Sequence, residues 1–188
     1  MSFDSIKRSE NGSIIKRISR IQDGCEENCC NNKKVDHGVP VPEETLGTGL
    51  PGFAYIYDTT IQNLMANDPV TFNTNGVITP AGFVTHVPGT APITINQRGT
   101  YQITYEVFAF GTGPFSFAFA LFNGDNQIAG SNYGINNSNV TMSGQVITIL
   151  NAGDVLTLRA LSSSIALFNI TNAGIPVISA SIIIDKIA

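Results

Sequence analysis

The sequence predicts an all-β protein: a ten-strand jelly-roll sandwich preceded by an N-terminal arm with a short helix. Three observations carry this. Short apolar segments recur from residue 53 to residue 188, separated by turn residues at intervals of roughly 8–12 positions. Several alternate between apolar and polar residues, the period of a strand with one buried face. No convincing helical periodicity appears after residue 53. About ten such strands make a sandwich, and that count suits a jelly roll.

The 188 residues divide into an arm (1–34), a Pro/Gly linker (35–52) and a head (53–188). In the arm, Ser13 is a candidate cap for a helix carrying Ile14, Ile15, Ile18 and Ile21, with Gly24 just past its end. Ile14, Ile18 and Ile21 form one stripe; Lys16, Arg17 and Arg20 sit off it. About ten helical residues are marginal alone in water, so the stripe needs a surface to dock on. A solvated tail is the alternative. In the linker, "VPVP" favours an extended path. "GTGLPG" matches a dinucleotide-binding pattern by letter, but Pro51 sits inside it and a strand follows, so it reads as a turn.

The expected strands follow in order. "FAYIYD" (53–58) is first, then "PVTF" (69–72) and "GVITPAGFVTHV" (76–87), broken at Pro80. "APITIN" (91–96) leads through "QRG" to "TYQITYEVFAF" (100–110), where Tyr101, Ile103, Tyr105, Val107 and Ala109 share a face opposite Gln102, Thr104, Glu106, Phe108 and Phe110. In "FSFAFALFNGDNQ", Phe115, Phe117, Phe119 and Leu121 face one way; the small residues opposite leave room for another sheet. Segments 127–135, 139–150, 154–161 (with Leu156 and Leu158), 165–170 and 177–188 complete the set. In the last, Ile182 and Ile184 face one way, Ile183 and Ile187 the other. A strand apolar on both faces is buried on both, and at a chain terminus another subunit is the simplest cover.

Charge is placed unevenly. Charged residues are 13% of the chain, about half the usual share. Only nine fall in residues 51–188: Arg98, Arg159, Lys186, Asp58, Asp68, Glu106, Asp125, Asp154 and Asp185. A surface so poor in charge suits a protein that covers itself with copies of itself. The net charge of −4, with no basic face, argues against nucleic acid as a partner. No apolar run reaches the roughly 18–20 residues of a membrane span, and the first residues hold no continuous apolar stretch of the secretory kind, so synthesis in a cytoplasm is expected.

Candidate chemistry is sparse. His37 lies in the linker, and His86 reads as a structural or surface strand residue. Cys25, Cys29, Cys30 and His37 form a conceivable three-Cys, one-His zinc set, but C-x₃-C-C is not a knuckle spacing, and adjacent cysteines rarely reach one ion together. Asp58, Asp68, Asp125 and Asp154 stand singly at turns or strand ends. No catalytic constellation, cofactor motif or metal site is expected. Three cysteines cannot all pair within one chain, and neighbours strain to bridge each other. Cys25, Cys29 and Cys30 are therefore expected to cross-link neighbouring chains outside the reducing cell interior.

The segments "GLPGFAYIYD", "DPVTFNT", "RGTYQITYEVFA", "NAGDVLTLRA" and "SASIIIDKIA" resemble the C-terminal head of the BclA-like collagen-type glycoproteins of the Bacillus exosporium. More broadly they resemble complement-type and tumour-necrosis-factor-like heads. The resemblance spans roughly residues 49–188. It implies a ten-strand, tumour-necrosis-factor-like jelly roll, a homotrimer about a three-fold axis, and a place on the outer surface of a bacterial endospore beside other spore-surface proteins. Tyr101, Tyr105, Phe115, Phe117, Phe119, Leu156, Leu158, Ile182 and Ile184 are the candidate residues of its core and trimer-forming strands. The chain departs from that family in having no Gly-X-Y stalk; in its place stands the cysteine-bearing arm, whose design is similar to the connectors of endospore appendage subunits. The expected function is structural and non-enzymatic: trimeric heads joined through Ile14, Ile15, Ile18 and Ile21 of the connector into a fibre or layer. The alternative is a trimeric recognition head binding a receptor or glycan through loops such as "NYGINNSN".

Overall fold

The computed structural model describes residues 51–110, 116–137, 140–162 and 164–188. The arm with Ile14, Ile15, Ile18, Ile21, Cys25, Cys29 and Cys30, most of the linker with His37, and Phe115 lie outside the described residues.

Among the described residues every regular element is a strand. These are β1 (Phe53–Asp58), β2 (Gln62–Leu64), β3 (Thr74–Thr79), β4 (Val84–His86), β5 (Ile93–Ile95), β6 (Gly99–Phe110), β7 (Phe117–Asn123) and β8 (Asn126–Gln127). They continue with β9 (Tyr133–Ile135), β10 (Val140–Leu150), β11 (Val155–Ala160), β12 (Ile165–Leu167), β13 (Thr171–Asn172), β14 (Ile175–Pro176) and β15 (Ala180–Lys186).

Two antiparallel sheets face each other. One runs β3-β1-β15-β6-β10, with β12 and β2 continuing from the end of β6. The other runs β4-β5-β11-β7-β8, with β9 also on β7. β6 is the spine of the first sheet. It pairs along its whole length with β10, from Leu150↔Gly99 to Val140↔Ala109, and on its other edge with β15 and then β12. Its alternation is as expected: Tyr101, Ile103, Tyr105, Val107 and Ala109 are buried, and the residues between them turn outward. Phe117, Phe119, Leu121, Leu156, Leu158, Ile182 and Ile184 meet them in one core. A buried aromatic or aliphatic side chain of this kind contributes on the order of 1.5–3 kcal/mol.

The core accommodates Tyr105 by two devices. Its hydroxyl lies 2.8 Å from the Ser131 carbonyl and 3.0 Å from that of Phe119, so the buried phenol has acceptors for its proton. Ser131, itself buried, accepts from the Leu121 N–H and donates to the Ile128 carbonyl. Burial also holds the Tyr105 hydroxyl well above the usual phenol range, because the phenolate would lose its water.

Several boundaries differ from expectation. The stretch 69–72 is not a regular strand. Its backbone is satisfied by successive partners: Val70 N–H by Leu158, Thr71 by both ends of the Gln62 side-chain amide, and Phe72 N–H by Thr90. Only the isolated bridges Pro69↔Arg159 and Phe72↔Thr90 remain. The segment 127–135 breaks at Gly130, whose φ of 78° a strand cannot use, so only β9 survives beyond the end of β8. On its small-residue face β7 has Arg159 of β11 beside it. Arg159 lies directly across the ladder from Ala120, and its guanidinium sits 4.6 Å from the Phe122 ring centroid.

The aspartates behave as turn residues. Asp68 accepts from Met65 N–H and Asp154 from Asn151 N–H. Asp58 is more deeply placed. Its Oδ2 accepts from Thr60 N–H, the Thr60 and Ser179 hydroxyls and the Gln62 amide, tying the end of β1 to the approach of β15. His86 is buried against Phe72 rather than on the surface, and its Nδ1 stands 2.6 Å from Asn75 Oδ1.

Candidate self-association face

The outward side of the β3-β1-β15-β6-β10 sheet exposes several large apolar side chains among the described residues. Register builds it row by row. Phe53, Asp185, Gln102 and Ile147 form one row across β1, β15, β6 and β10. Tyr55, Ile183, Thr104 and Gln145 form the next, and Tyr57, Ser181, Glu106 and Ser143 the third. Thr100 and Ile149 close the lower edge.

This face is apolar and short of charge. Ile149 is 68% exposed, Ile147 63%, Phe53 41% and Ile183 40%. The Tyr55 and Tyr57 rings stack at a centroid separation of 5.3 Å. Glu106 and Asp185 are the acids that alternate onto it. Burial raises the Tyr55 hydroxyl above the usual phenol range; Ser181 partly offsets this as a hydrogen-bond partner, while Tyr57 and Glu106 add to it. A hollow of about 400 Å³ opens between Tyr55, Thr104, Glu106, Ser181 and Ile183. A second, of about 340 Å³, is lined by Gln102, Tyr133, Gln145, Val146 and Ile147. Aromatic and aliphatic side chains with few charges are the composition of a protein-interface core.

The residues assigned to core and trimer strands therefore separate. Tyr101, Tyr105, Phe117, Phe119, Leu156, Leu158, Ile182 and Ile184 point inward and hold the sandwich together. The outward set is Phe53, Tyr55, Tyr57, Ile147, Ile149 and Ile183. Of these, Ile183 is marked in the sequence by the doubly apolar run "SIIID". The run "QVITIL" carried the same signal for Ile147 and Ile149, which alternate with Val146 and Leu150 on the opposite face.

Among the described residues no group of three or more His, Cys, Asp or Glu is placed to hold a metal ion, and no helix is long and apolar enough to cross a membrane.

No family model and no curated protein matches the chain. Solved structures do. The globular domain of a zebrafish complement 1qA protein aligns with 74% of this chain and 98% of its own, at 15% identity and a TM-score of 0.51. The Eiger TNF of S. frugiperda covers 74% of this chain and 94% of its own, at 13% identity and a TM-score of 0.53. The vertex protein P5 of PRD1 covers 74% and 99%, at 17% identity and a TM-score of 0.52. The head thus has the jelly-roll fold of complement 1q and tumour-necrosis-factor domains.

Proposed function

We propose that this protein is a non-enzymatic structural subunit. Its heads associate laterally as homotrimers through the outward face of the β3-β1-β15-β6-β10 sheet, and its N-terminal segments join the trimers into a fibre or layer. The observation that carries this reading is the exposed, charge-poor face of Phe53, Tyr55, Ile147, Ile149 and Ile183. Leaving that much apolar surface in water favours association with a like surface. The family resemblance supports three copies and the surface of a bacterial endospore as the place. Cys25, Cys29 and Cys30 act in this reading as inter-chain rivets, and the fold is compatible with architecture, since one of its bearers is a vertex protein.

The test is sedimentation of the full chain together with electron microscopy, with and without residues 1–34. Trimers in both forms, and higher assemblies only with the arm, are expected. Dispersed monomers in both forms would sink the reading.

A recognition head is the second reading. It is favoured by the hollow beside Tyr133, which is 38% exposed on β9, within the stretch "NYGINNSN". Glycan or cell binding that survives deletion of residues 1–34 and is lost in Tyr133→Ala would support it.

A further inference from the structure

Residues 69–97 hold no Asp, Glu, Lys or Arg, and His86 is their one titratable side chain. It sits at a seam of the sandwich. β3 ends the first sheet and β4 ends the second, and His86 reaches from β4 to Asn75 on β3. The ring is buried and packs against Phe72 at a centroid separation of 6.1 Å. Its Nδ1 lies 2.6 Å from Asn75 Oδ1, and its Nε2 lies 3.0 Å from the Thr90 carbonyl oxygen. A third contact orients the Asn75 amide, whose Nδ2 donates to the His86 carbonyl over 3.0 Å. The Thr90 carbonyl also accepts from Phe72 N–H, and Gly89 N–H donates to the Phe72 carbonyl. The ring thus holds a turn as well as a seam.

Donor and acceptor roles decide how many protons the ring needs. Both ring nitrogens face an oxygen, and a neutral imidazole has one N–H. With the proton on Nε2, the Nδ1 lone pair opposes Asn75 Oδ1. With the proton on Nδ1, the Nε2 lone pair opposes the Thr90 carbonyl. Turning the Asn75 amide over brings its NH₂ to Nδ1 but sets its oxygen against the His86 carbonyl. Every neutral arrangement leaves two acceptors in contact. The imidazolium leaves none, and its two charge-assisted bonds work against the cost of burying its charge. Among the described residues, β3, β4, β5 and the stretches 69–72 and 87–90 bring no other titratable group to the ring. On β1, beside β3, Tyr55 and Tyr57 point to the outward side, and the Asp58 carboxylate is taken by Thr60, Gln62 and Ser179.

We infer that His86 is a proton-operated latch: protonated on both ring nitrogens, it ties β3 to β4 and to the 87–90 turn, and loss of one proton frees the seam. The closed seam binds the second proton, so the latch is shut on the acid side and opens as pH rises. This holds whichever way the heads assemble.

The test uses the full chain with His37→Gln, which leaves His86 as its one histidine. It is labelled with ¹⁵N-histidine and followed by solid-state NMR from about pH 5 to about pH 9, short of tyrosine ionisation. Two protonated ring nitrogens at the acid end and one at the alkaline end are expected. Over the same step, hydrogen–deuterium exchange of residues 72–75 and 87–90, corrected for the chemical rate, should rise by up to about tenfold, the scale of one lost hydrogen bond. A ring with the same number of protons throughout, or exchange that does not follow the ring, overturns the inference. Asn75→Ala removes the acceptor at Nδ1, so a single N–H then satisfies the ring. In that variant the pH step in exchange should vanish, and a step that persists overturns the latch.

Discussion

Gly144 stands directly across the β6–β10 ladder from Tyr105, and a Cβ at that position would lie 2.4 Å from Cζ of the tyrosine ring. The ring has no freedom to move aside, because it is fully buried and its hydroxyl is held between two carbonyls. The glycine is thus the space through which Tyr105 reaches the second sheet. Gly144→Ala is expected to cost about 1–3 kcal/mol, the scale of overpacking in a filled core. At about 2–4 °C per kcal/mol for a chain of this length, thermal denaturation would register it. An unchanged melting temperature would mean that the ring has room to shift.

Neighbouring isoleucines on β15 should behave oppositely. Ile184→Asp places a charge in the core and should prevent folding, because Ile184 has no exposed surface. Ile183→Asp, on the outward face, should leave the circular-dichroism spectrum unchanged and abolish lateral association in sedimentation. If Ile183→Asp remains fully associated, the outward sheet face is not the interface.

The buried tyrosines predict alkaline sensitivity. Burial raises the hydroxyls of Tyr101 and Tyr105 above their ordinary value of 10.0, so the folded state keeps protons that the unfolded state releases. This contribution is fully present below about pH 10 and is lost as pH rises toward the folded-state values. Melting temperature should fall steadily above about pH 10, while absorbance at 295 nm shows these two phenols ionising together with unfolding. Tyr105→Phe should flatten the slope even though it lowers stability near neutrality.

Asp58 predicts a stability defect that conserves shape. Each of its partners is a donor, so the carboxylate satisfies them as an acceptor. Asp58→Asn turns one edge of the group into a donor facing donors. A hydrogen bond to a charged group is worth about 1.5–3 kcal/mol, and a loss of at least that size is expected in urea denaturation. Ser179→Ala, which removes one donor, should cost about 1 kcal/mol. Equal stability of Asp58→Asn and the parent would show that the charge is immaterial.

The cysteines predict a phenotype of the assembly and not of the head. Serine at positions 25, 29 and 30 should leave the melting of the head unchanged and make assemblies dissociate in denaturant. Non-reducing gels of the parent should show a ladder that collapses on reduction. Mutant assemblies as resistant as the parent would remove the rivet role.

Much of this molecule is written locally. Alternation in "TYQITYEVFAF" places five side chains inward whatever β6 pairs with, because successive residues of a strand point to opposite faces. "SIIID" likewise announces a strand with two apolar faces. The short elements were not legible: β2 is "QNL", without apolar alternation, and exists because β12 offers it a ladder. The stretch 69–72 has the composition of a strand but finds its hydrogen bonds in turn on β11, Gln62 and Thr90, partners distant in sequence.

The sequence by itself determined the class of fold, the inward faces of its long strands, the poverty of charge in the head and the gathering of all cysteines ahead of it. Those follow from periodicity and composition, which act over a few residues at a time. Only the tertiary structure decided that Tyr55, Ile147 and Ile183 share one surface, that Gly144 makes room for Tyr105, and that Ser179 reaches Asp58. Each of these joins positions tens of residues apart in the chain. Their proximity is set by the order and register of strands across the sheets, which no local pattern encodes.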